Sequence, residues 1–355
     1  MNFSYRWNLS DLDKVEKNGY KVFSCFAGGG GSSQGYKMAG FDVIGCNEID
    51  PRQMEIYTHN LKPKYSYLED IRTFRLRDDL PKEFFKLDIL DGSPPCTVFS
   101  TSNNSKDEKS KEKKFREGQI KQRLDDLFYE FIELANKLKP KVIVAENVIG
   151  LTNLNNKEYM MKIYEHFRDI GYMISHYTFD FSELGLPQRR NRVIFFAVRK
   201  DIYVETTDLY GEMPYLSINK NYKKIPYKDI EEKNAIIGTV KVYPKALYWW
   251  EKTNAGKYFS NATERELGKR SYMDYYKTDR NKVLPTITAH TEGGNCYNQD
   301  IPRTLTKLEL KLATSFPLDY DFLEENPKYV CGMSVPPLAM YIISKEIKTQ
   351  WVDKN

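Results

Sequence analysis

The stretch Asp91-Gly92-Ser93-Pro94-Pro95-Cys96-Thr97-Val98-Phe99-Ser100 follows a short apolar run, Leu87 to Leu90, that reads as a buried parallel strand. Cys96 therefore falls just past the carboxyl end of a strand, the edge at which ligands gather in open α/β sheets. Two consecutive prolines fix their own φ and hold the preceding residue extended, so the thiol is presented on a stiff turn. A nucleophile must be placed before it is activated, which makes Cys96 a candidate. A free cysteine that merely packs would read the same way, so the neighbours decide.

Upstream, Lys21-Val22-Phe23-Ser24-Cys25-Phe26 reads as a buried strand that runs into Ala27-Gly28-Gly29-Gly30-Gly31-Ser32-Ser33-Gln34-Gly35. Helix-like spacing continues through Tyr36, Met38 and Ala39, and a second strand, Val43 to Cys46, ends at Asn47-Glu48-Ile49-Asp50. Strand, glycine turn, helix, strand and terminal acid make one βαβ nucleotide-binding unit, with Glu48 placed to accept from a ribose hydroxyl. The turn needs glycine because its backbone takes positive φ and lets a ligand approach closely. A dinucleotide and S-adenosylmethionine both carry an adenosine, so the unit does not separate them. Asp70, after the extended piece ending at Leu68, is a candidate acceptor for an adenine amino group.

Downstream, 102–119 is crowded with Lys, Glu, Asp, Ser and Asn without periodicity and reads as a solvated loop long enough to act as a lid. Apolar positions from Leu124 to Leu138 fit a helical face that Lys139-Pro140 ends. The next strand, Lys141 to Ala145, terminates in Glu146-Asn147-Val148, and desolvation at a strand tip would raise a carboxyl toward general-acid range. A helix near 157–170 and an extended piece near 172–180 lead to Leu186-Pro187-Gln188-Arg189-Arg190-Asn191-Arg192, whose arginines offer forked donors, and then to the strand Val193 to Val198. Beyond Lys200 the pattern turns irregular. Helices are again expected at Leu310 to Ala313 and through Met340 to Ile347.

The chain has 355 residues and a net charge of +5, with 41% hydrophobic and 29% charged residues, an ordinary globular composition large enough for two domains. Five widely spread cysteines form no paired motif, so neither a disulfide framework nor a zinc site is expected. No apolar run has the length of a membrane span, and the start Met1-Asn2-Phe3-Ser4 lacks a secretory core, so the protein is expected to work inside the cell. From Asn219 to Lys282 basic residues alternate with aromatics, among them Lys245, Tyr248, Trp249, Trp250 and Lys277. That mixture suits a polynucleotide, whose phosphates take cations and whose bases stack, and equally a solvated face.

Taken together, these pieces resemble the DNA cytosine-5 methyltransferases. The resemblance rests on Phe26-Ala27-Gly28-x-Gly30-Gly31, Glu48, Asp70, Pro95-Cys96, Asp125-x-Leu127-Phe128, Glu146-Asn147-Val148, Gln188-Arg189-Arg190-x-Arg192, Arg303-x-Leu305-Thr306-x-x-Glu309 and Gly332-x-Ser334-Val335-Pro336, in order from about Tyr20 to Ile347. Three positions depart from the family pattern: Ser24 stands where an acid usually opens the glycine-loop strand, Thr97 replaces a glutamine, and Met333 replaces an asparagine.

The resemblance implies an α/β, Rossmann-like S-adenosylmethionine-dependent methyltransferase fold, a mostly parallel sheet with helices on both faces, plus a smaller, irregular, β-rich target-recognition domain. It divides the chain into an N-terminal extension (1–20), a catalytic and cofactor domain (21–199), a recognition domain (200–328) and a segment returning to the catalytic domain (329–355). It gives catalytic roles to Cys96, Glu146, Arg190 and Arg192: Cys96 adds to cytosine C6, Glu146 acts at N3, and Arg190 or Arg192 favours the thiolate. Cofactor contacts fall to Phe26, Ala27, Gly28, Gly30 and Gly31 in the turn, to Glu48 and Ile49, to Asp70 and Ile71, and to Pro94, Leu127, Ser334 and Val335. Substrate contacts fall to Pro95, Ser100, Asn147 and Gln188. The implied partner is double-stranded DNA, whose target base is flipped out of the stack. The implied setting is a monomer in a bacterial or phage-infected cell, the modification half of a restriction-modification system with an independently acting endonuclease.

Rivals account for less. RNA as methyl acceptor stays open. A nicotinamide-dependent oxidoreductase uses the glycine turn and Glu48 but leaves Pro95-Cys96, Glu146 and the arginines idle. A zinc deaminase needs His-x-Glu ahead of a paired cysteine motif, whereas His290-Thr291-Glu292 follows Pro95-Cys96 and no paired cysteine accompanies it.

Overall fold

In a computed structural model of the chain, residues 2–95, 126–202, 213–235, 244–271, 275–289 and 296–354 are described. Cys96, Thr97, Ser100, Asp125, the expected lid at 102–119 and His290 to Glu292 lie outside the described residues.

The apolar runs alternate with amphipathic stretches, and the chain follows that alternation: β1 (Lys21–Cys25), α1 (Gly31–Met38), β2 (Asp42–Glu48), α2 (Pro51–Leu61), β3 (Tyr65–Leu68), α3 (Ile71–Phe74), β4 (Ile89–Gly92), α4 (Leu127–Leu138), β5 (Val142–Val148), α5 (Lys157–Asp169), β6 (Tyr172–Asp180) and β7 (Asn191–Arg199). The strands form one seven-stranded sheet in the order β3-β2-β1-β4-β5-β7-β6. Pairing is parallel from β3 through β5, and β7 runs antiparallel to β5. Strands covered on both faces need continuous apolar runs, and Val22, Phe23, Leu90, Ile143 and Phe195 are accordingly buried. Phe128, Phe131 and Leu134 of α4 pack into that core. A Cβ on Gly92 would lie 2.6 Å from the Phe131 ring, so glycine at the end of β4 is what lets α4 approach.

Internal contacts divide the chain into two units, which differ from the linear division expected from sequence. The sheet unit comprises Val15–Phe179, Asn191–Ile218 and Met340–Asn355; the second unit comprises Met1–Lys14, Asp180–Arg190 and Asn219–Ala339. The expected N-terminal extension is thus split, and its first part is no appendage. Trp7 is 3% exposed, its indole Nε1 donates to the Ser315 carbonyl at 2.8 Å, and its own carbonyl receives Leu318 N–H.

The second unit carries α6 (Pro244–Lys252), α7 (Phe259–Leu267), β8 (Tyr276–Lys277), β9 (Cys296–Tyr297), α8 (Lys307–Ala313) and α9 (Pro327–Met333), and α10 (Pro337–Ile347) takes the chain back to the sheet unit. It is irregular as expected, but among the described residues it is not β-rich: its strands are two residues long. The aromatics that favour strands here sit at helical spacing, with Ala246, Trp249, Phe259 and Ala262 meeting Tyr297 in a small core. A buried ion pair braces it. Glu309, 0% exposed, receives both terminal nitrogens of Arg303 as well as Tyr227 Oη and the Glu232 N–H. The sequence motif Arg303 to Glu309 is therefore structural. No helix of the described residues is long and apolar enough to cross a membrane, and no metal-ligand cluster occurs among them.

Candidate active site

The glycine turn follows β1 as expected, and its backbone is left-handed at Gly28 (φ 50°) and Gly30 (φ 77°). A Cβ on Gly30 would lie 2.5 Å from Leu61 and 2.9 Å from Tyr57, so the turn also depends on glycine for space against α2. Glu48, at the end of β2, closes the turn from the next strand: one carboxylate oxygen accepts Gly28 N–H at 2.8 Å and the other accepts Ile49 N–H at 2.8 Å and Asp50 N–H at 2.9 Å. Burial raises its pKa, and these backbone donors oppose the rise. Three donors leave one of the roughly four acceptor positions of a carboxylate for a ligand hydroxyl.

Asp70 caps α3, accepting Arg72 N–H at 2.8 Å, and pairs with the Arg72 guanidinium at 3.0 Å. Ile71 and Leu127 belong to the apolar core beside it, and Phe26 packs against that core. Beneath the turn, Gln53 is 4% exposed, neither atom of its amide has a partner among the described residues, and its Oε1 lies 4.0 Å from where a Gly28 Cβ would be. Buried polar atoms without partners are uncommon, and a water or a bound ligand can complete them. A glycine cradle, a helix start at α1, two carboxylates at strand ends and a spare amide fit a ligand with a ribose diol and an amino-acid head, the make-up of S-adenosylmethionine.

Pro94 and Pro95 close the described part of the cysteine loop. Asn147 Nδ2 donates to the Pro94 carbonyl at 3.0 Å in a buried contact, so β5 holds the loop that enters Cys96. One residue earlier, Glu146 is 9% exposed, and its Oε1 meets Arg192 Nε of β7 at 2.7 Å, its single partner among the described residues. Glu146 lies within β5 rather than beyond its tip, opposite Ile194. The antiparallel register pairs Arg192 with Val148, two residues along β5 from Glu146 and so on the same face, which is why the guanidinium reaches it.

The other arginine expected at the chemistry does something else. Arg190, 1% exposed, gives its guanidinium to the carbonyls of Ile287 at 3.2 Å, Gly332 at 2.9 Å and Ser334 at 3.0 Å, all in the second unit. Gln188, 0% exposed, donates to the Ala313 carbonyl and accepts Ile287 N–H. In an extended segment alternate residues share a face, so Gln188 and Arg190 point inward together. Both bind their own unit's backbone. Ser334 and Val335, at 7% and 4% exposure, lie in the same unit.

Sequence reasoning passed over Asp91. Its carboxylate is 3% exposed and receives Ser24 Oγ and Ser32 Oγ at 2.8 Å each and Tyr36 Oη at 3.3 Å. Burial pushes its pKa up to about 6 against those donors. The signal was there, an acid inside the apolar run Ile89-Leu90-Asp91, but its partners lie far off in sequence.

A family model for the C-5 cytosine-specific DNA methylases matches residues 20–349. The chain belongs to this family. It is a DNA (cytosine-5-)-methyltransferase, and such enzymes as a class depend on S-adenosylmethionine. The methylase is 28% identical to Type II methyltransferase M.FnuDI of Fusobacterium nucleatum over 94% of this chain and 96% of that one. It is 27% identical to Type II methyltransferase M.NgoFVII of Neisseria gonorrhoeae over 96% of this chain and 89% of that one. In fold it is similar to a DNA modification methyltransferase encoded within an Escherichia coli prophage, with a TM-score of 0.66 at 19% identity, covering 93% of this chain and 99% of that one.

Proposed function

We propose that this methylase is the modification enzyme of a restriction-modification pair, methylating C5 of a flipped cytosine within a specific sequence of double-stranded DNA, as a monomer in the cytoplasm of a bacterial or phage-infected cell. The observation that carries the reading is the contact between Asn147 and Pro94, which fastens the strand bearing Glu146 to the loop that enters Cys96.

Cys96 as thiolate adds to C6 of the cytosine, which makes C5 electron-rich. Glu146, held at one oxygen by Arg192, acts as the acid from its other oxygen, giving its proton or an O–H hydrogen bond to N3 and so removing charge as it builds there. The turn at Phe26, Ala27, Gly28, Gly30 and Gly31 holds the cofactor, Glu48 and Ile49 take its ribose, Asp70 and Ile71 its adenine, and Pro94 and Leu127 border it. S-adenosylmethionine supplies, when bound, the methyl group that C5 accepts. Loss of the C5 proton and departure of Cys96 restore the ring. Pro95, Ser100 and Asn147 shape the pocket of the flipped base, and residues between 200 and 328 read the sequence, where Tyr248 is 50% exposed within α6, the helix that also carries Trp249, Trp250, Lys245 and Lys252.

Sequencing of methylated cytosines in DNA incubated with the protein and S-adenosylmethionine tests this directly. Methylation at one recurring sequence, lost in Cys96→Ser, is the expected result; unmethylated DNA, or full activity in that variant, overturns it.

A further inference from the structure

We propose that Asp91 is a positioning residue for the cofactor turn: from β4 it supplies a carboxylate beside Ser24 of β1, where the family pattern that the sequence resembles has an acid, and it ties the first turns of α1 to the strand leading into Pro94-Pro95-Cys96. The inference rests on the cofactor reading above. It accounts for the departure from that pattern at Ser24 by a carboxylate on the neighbouring strand.

Ser24 and Asp91 are direct register partners on neighbouring parallel strands, and Ser24 Oγ donates to Asp91 Oδ2 at 2.8 Å. A carboxylate at either position therefore reaches the same place. The other two donors both come from α1: Ser32 in its first turn at 2.8 Å, and Tyr36 one turn further along at 3.3 Å. A buried carboxylate is costly unless it is hydrogen-bonded, and the residues before it in β4, Ile89 and Leu90, are the apolar kind that fill such a strand cheaply. Here three hydroxyls from two elements converge on it, which fixes the rotation of α1 about its own axis. Gly30 and Gly31, whose backbone starts that helix, are set by the same rotation, so the donors that face the cofactor are aligned from below. Because Asp91 stands five residues ahead of Cys96, the same carboxylate relates the cofactor turn to the nucleophile's strand.

Calorimetric titration of the full chain with S-adenosylmethionine and S-adenosylhomocysteine tests the proposal, using wild type, Asp91→Ser, Asp91→Asn and the double variant Ser24→Asp/Asp91→Ser, with urea unfolding of each without ligand. Asp91→Ser is expected to bind about tenfold or more weakly, the loss of charge-assisted hydrogen bonds, and Asp91→Asn to fall between it and wild type. Returning the acid to β1 in the double variant is expected to restore affinity to within roughly threefold of wild type, a recovery that a merely space-filling role would not give. The proposal is overturned if Asp91→Ser and Asp91→Asn bind as wild type does, or if the double variant folds as wild type does yet binds no better than the single ones. Should Asp91→Ser not fold, Asp91→Asn and the double variant decide. Failure of the wild-type chain to bind either compound overturns the cofactor reading itself, a result distinct from wild-type binding with no effect of the variants.

Discussion

Arg192 Nε meets Glu146 Oε1 at 2.7 Å, and the side chains are only 13% and 11% exposed. A pair this buried is held by geometry as much as by charge, because removing one partner strands the other in a poorly solvated place. Arg192→Ala is therefore expected to cost about 3 kcal/mol of folding stability as well as activity. Glu146→Gln keeps the shape and loses the acid, so single-turnover methyl transfer should drop by roughly 10²- to 10⁴-fold with cofactor affinity unchanged. Quench-flow rates beside urea unfolding separate the two effects; a Glu146→Gln enzyme with wild-type turnover would remove Glu146 from the chemistry.

Asn147→Ala should uncouple the cysteine loop from β5. The Pro94 carbonyl then loses its buried donor, at a cost of about 1–3 kcal/mol. Turnover is expected to suffer more than cofactor binding, since the loop carries Cys96 rather than the glycine turn. Comparing kcat with the cofactor Kd in one variant checks this.

Gly30→Ala should fail for two reasons that add. The backbone there is left-handed at φ 77°, and the new methyl would sit 2.5 Å from Leu61. A loss of about 2–4 kcal/mol is expected from strain plus overpacking, seen as a lower urea midpoint together with weakened S-adenosylmethionine binding.

Acid–base linkage at Asp91 has a definite sign. Its folded pKa, about 6, lies above the ordinary value of 3.8, so the native state binds the proton more tightly than the unfolded chain does. The associated stability is full below pH 3.8 and is lost as pH rises through about 6, amounting to about 3 kcal/mol for a group so deeply buried. Asp91→Asn should flatten the pH dependence of stability between pH 4 and 7. An unchanged slope in urea unfolding across that window would show that Asp91 does not titrate there.

Arg190 and Arg192 stand two residues apart and should fail differently. Arg190→Met leaves the carbonyls of Ile287, Gly332 and Ser334 without their donor and is expected to destabilise by about 3 kcal/mol or more. Its folded fraction should keep a near-normal rate. A stable Arg190→Met protein with abolished transfer would return Arg190 to the chemistry.

Much of the sheet unit was legible because β1, β2, β5 and β7 are largely apolar runs and α4 carries a periodic apolar face. Those patterns depend on residues close in sequence. Glu48 at the end of β2 and the left-handed Gly28 follow from the same local logic, and so does Glu146 in the strand beside the cysteine loop. The second unit was read less well. Its aromatics satisfy strand and helix preferences alike, and only the packing of Ala246, Trp249, Phe259 and Tyr297 selects helices.

The sequence by itself determined the family, the alternation of strand and helix, and the chemistry on offer, because residue types and their order carry those directly. Only the tertiary structure decided which of two arginines meets the acid, that residues 1–14 belong with the second unit, and that Asp91 answers Ser24 across a strand pair. Each of these turns on side-chain direction and on contacts between residues far apart along the chain. A linear pattern names the candidate groups, and the packing of elements decides which of them face one another.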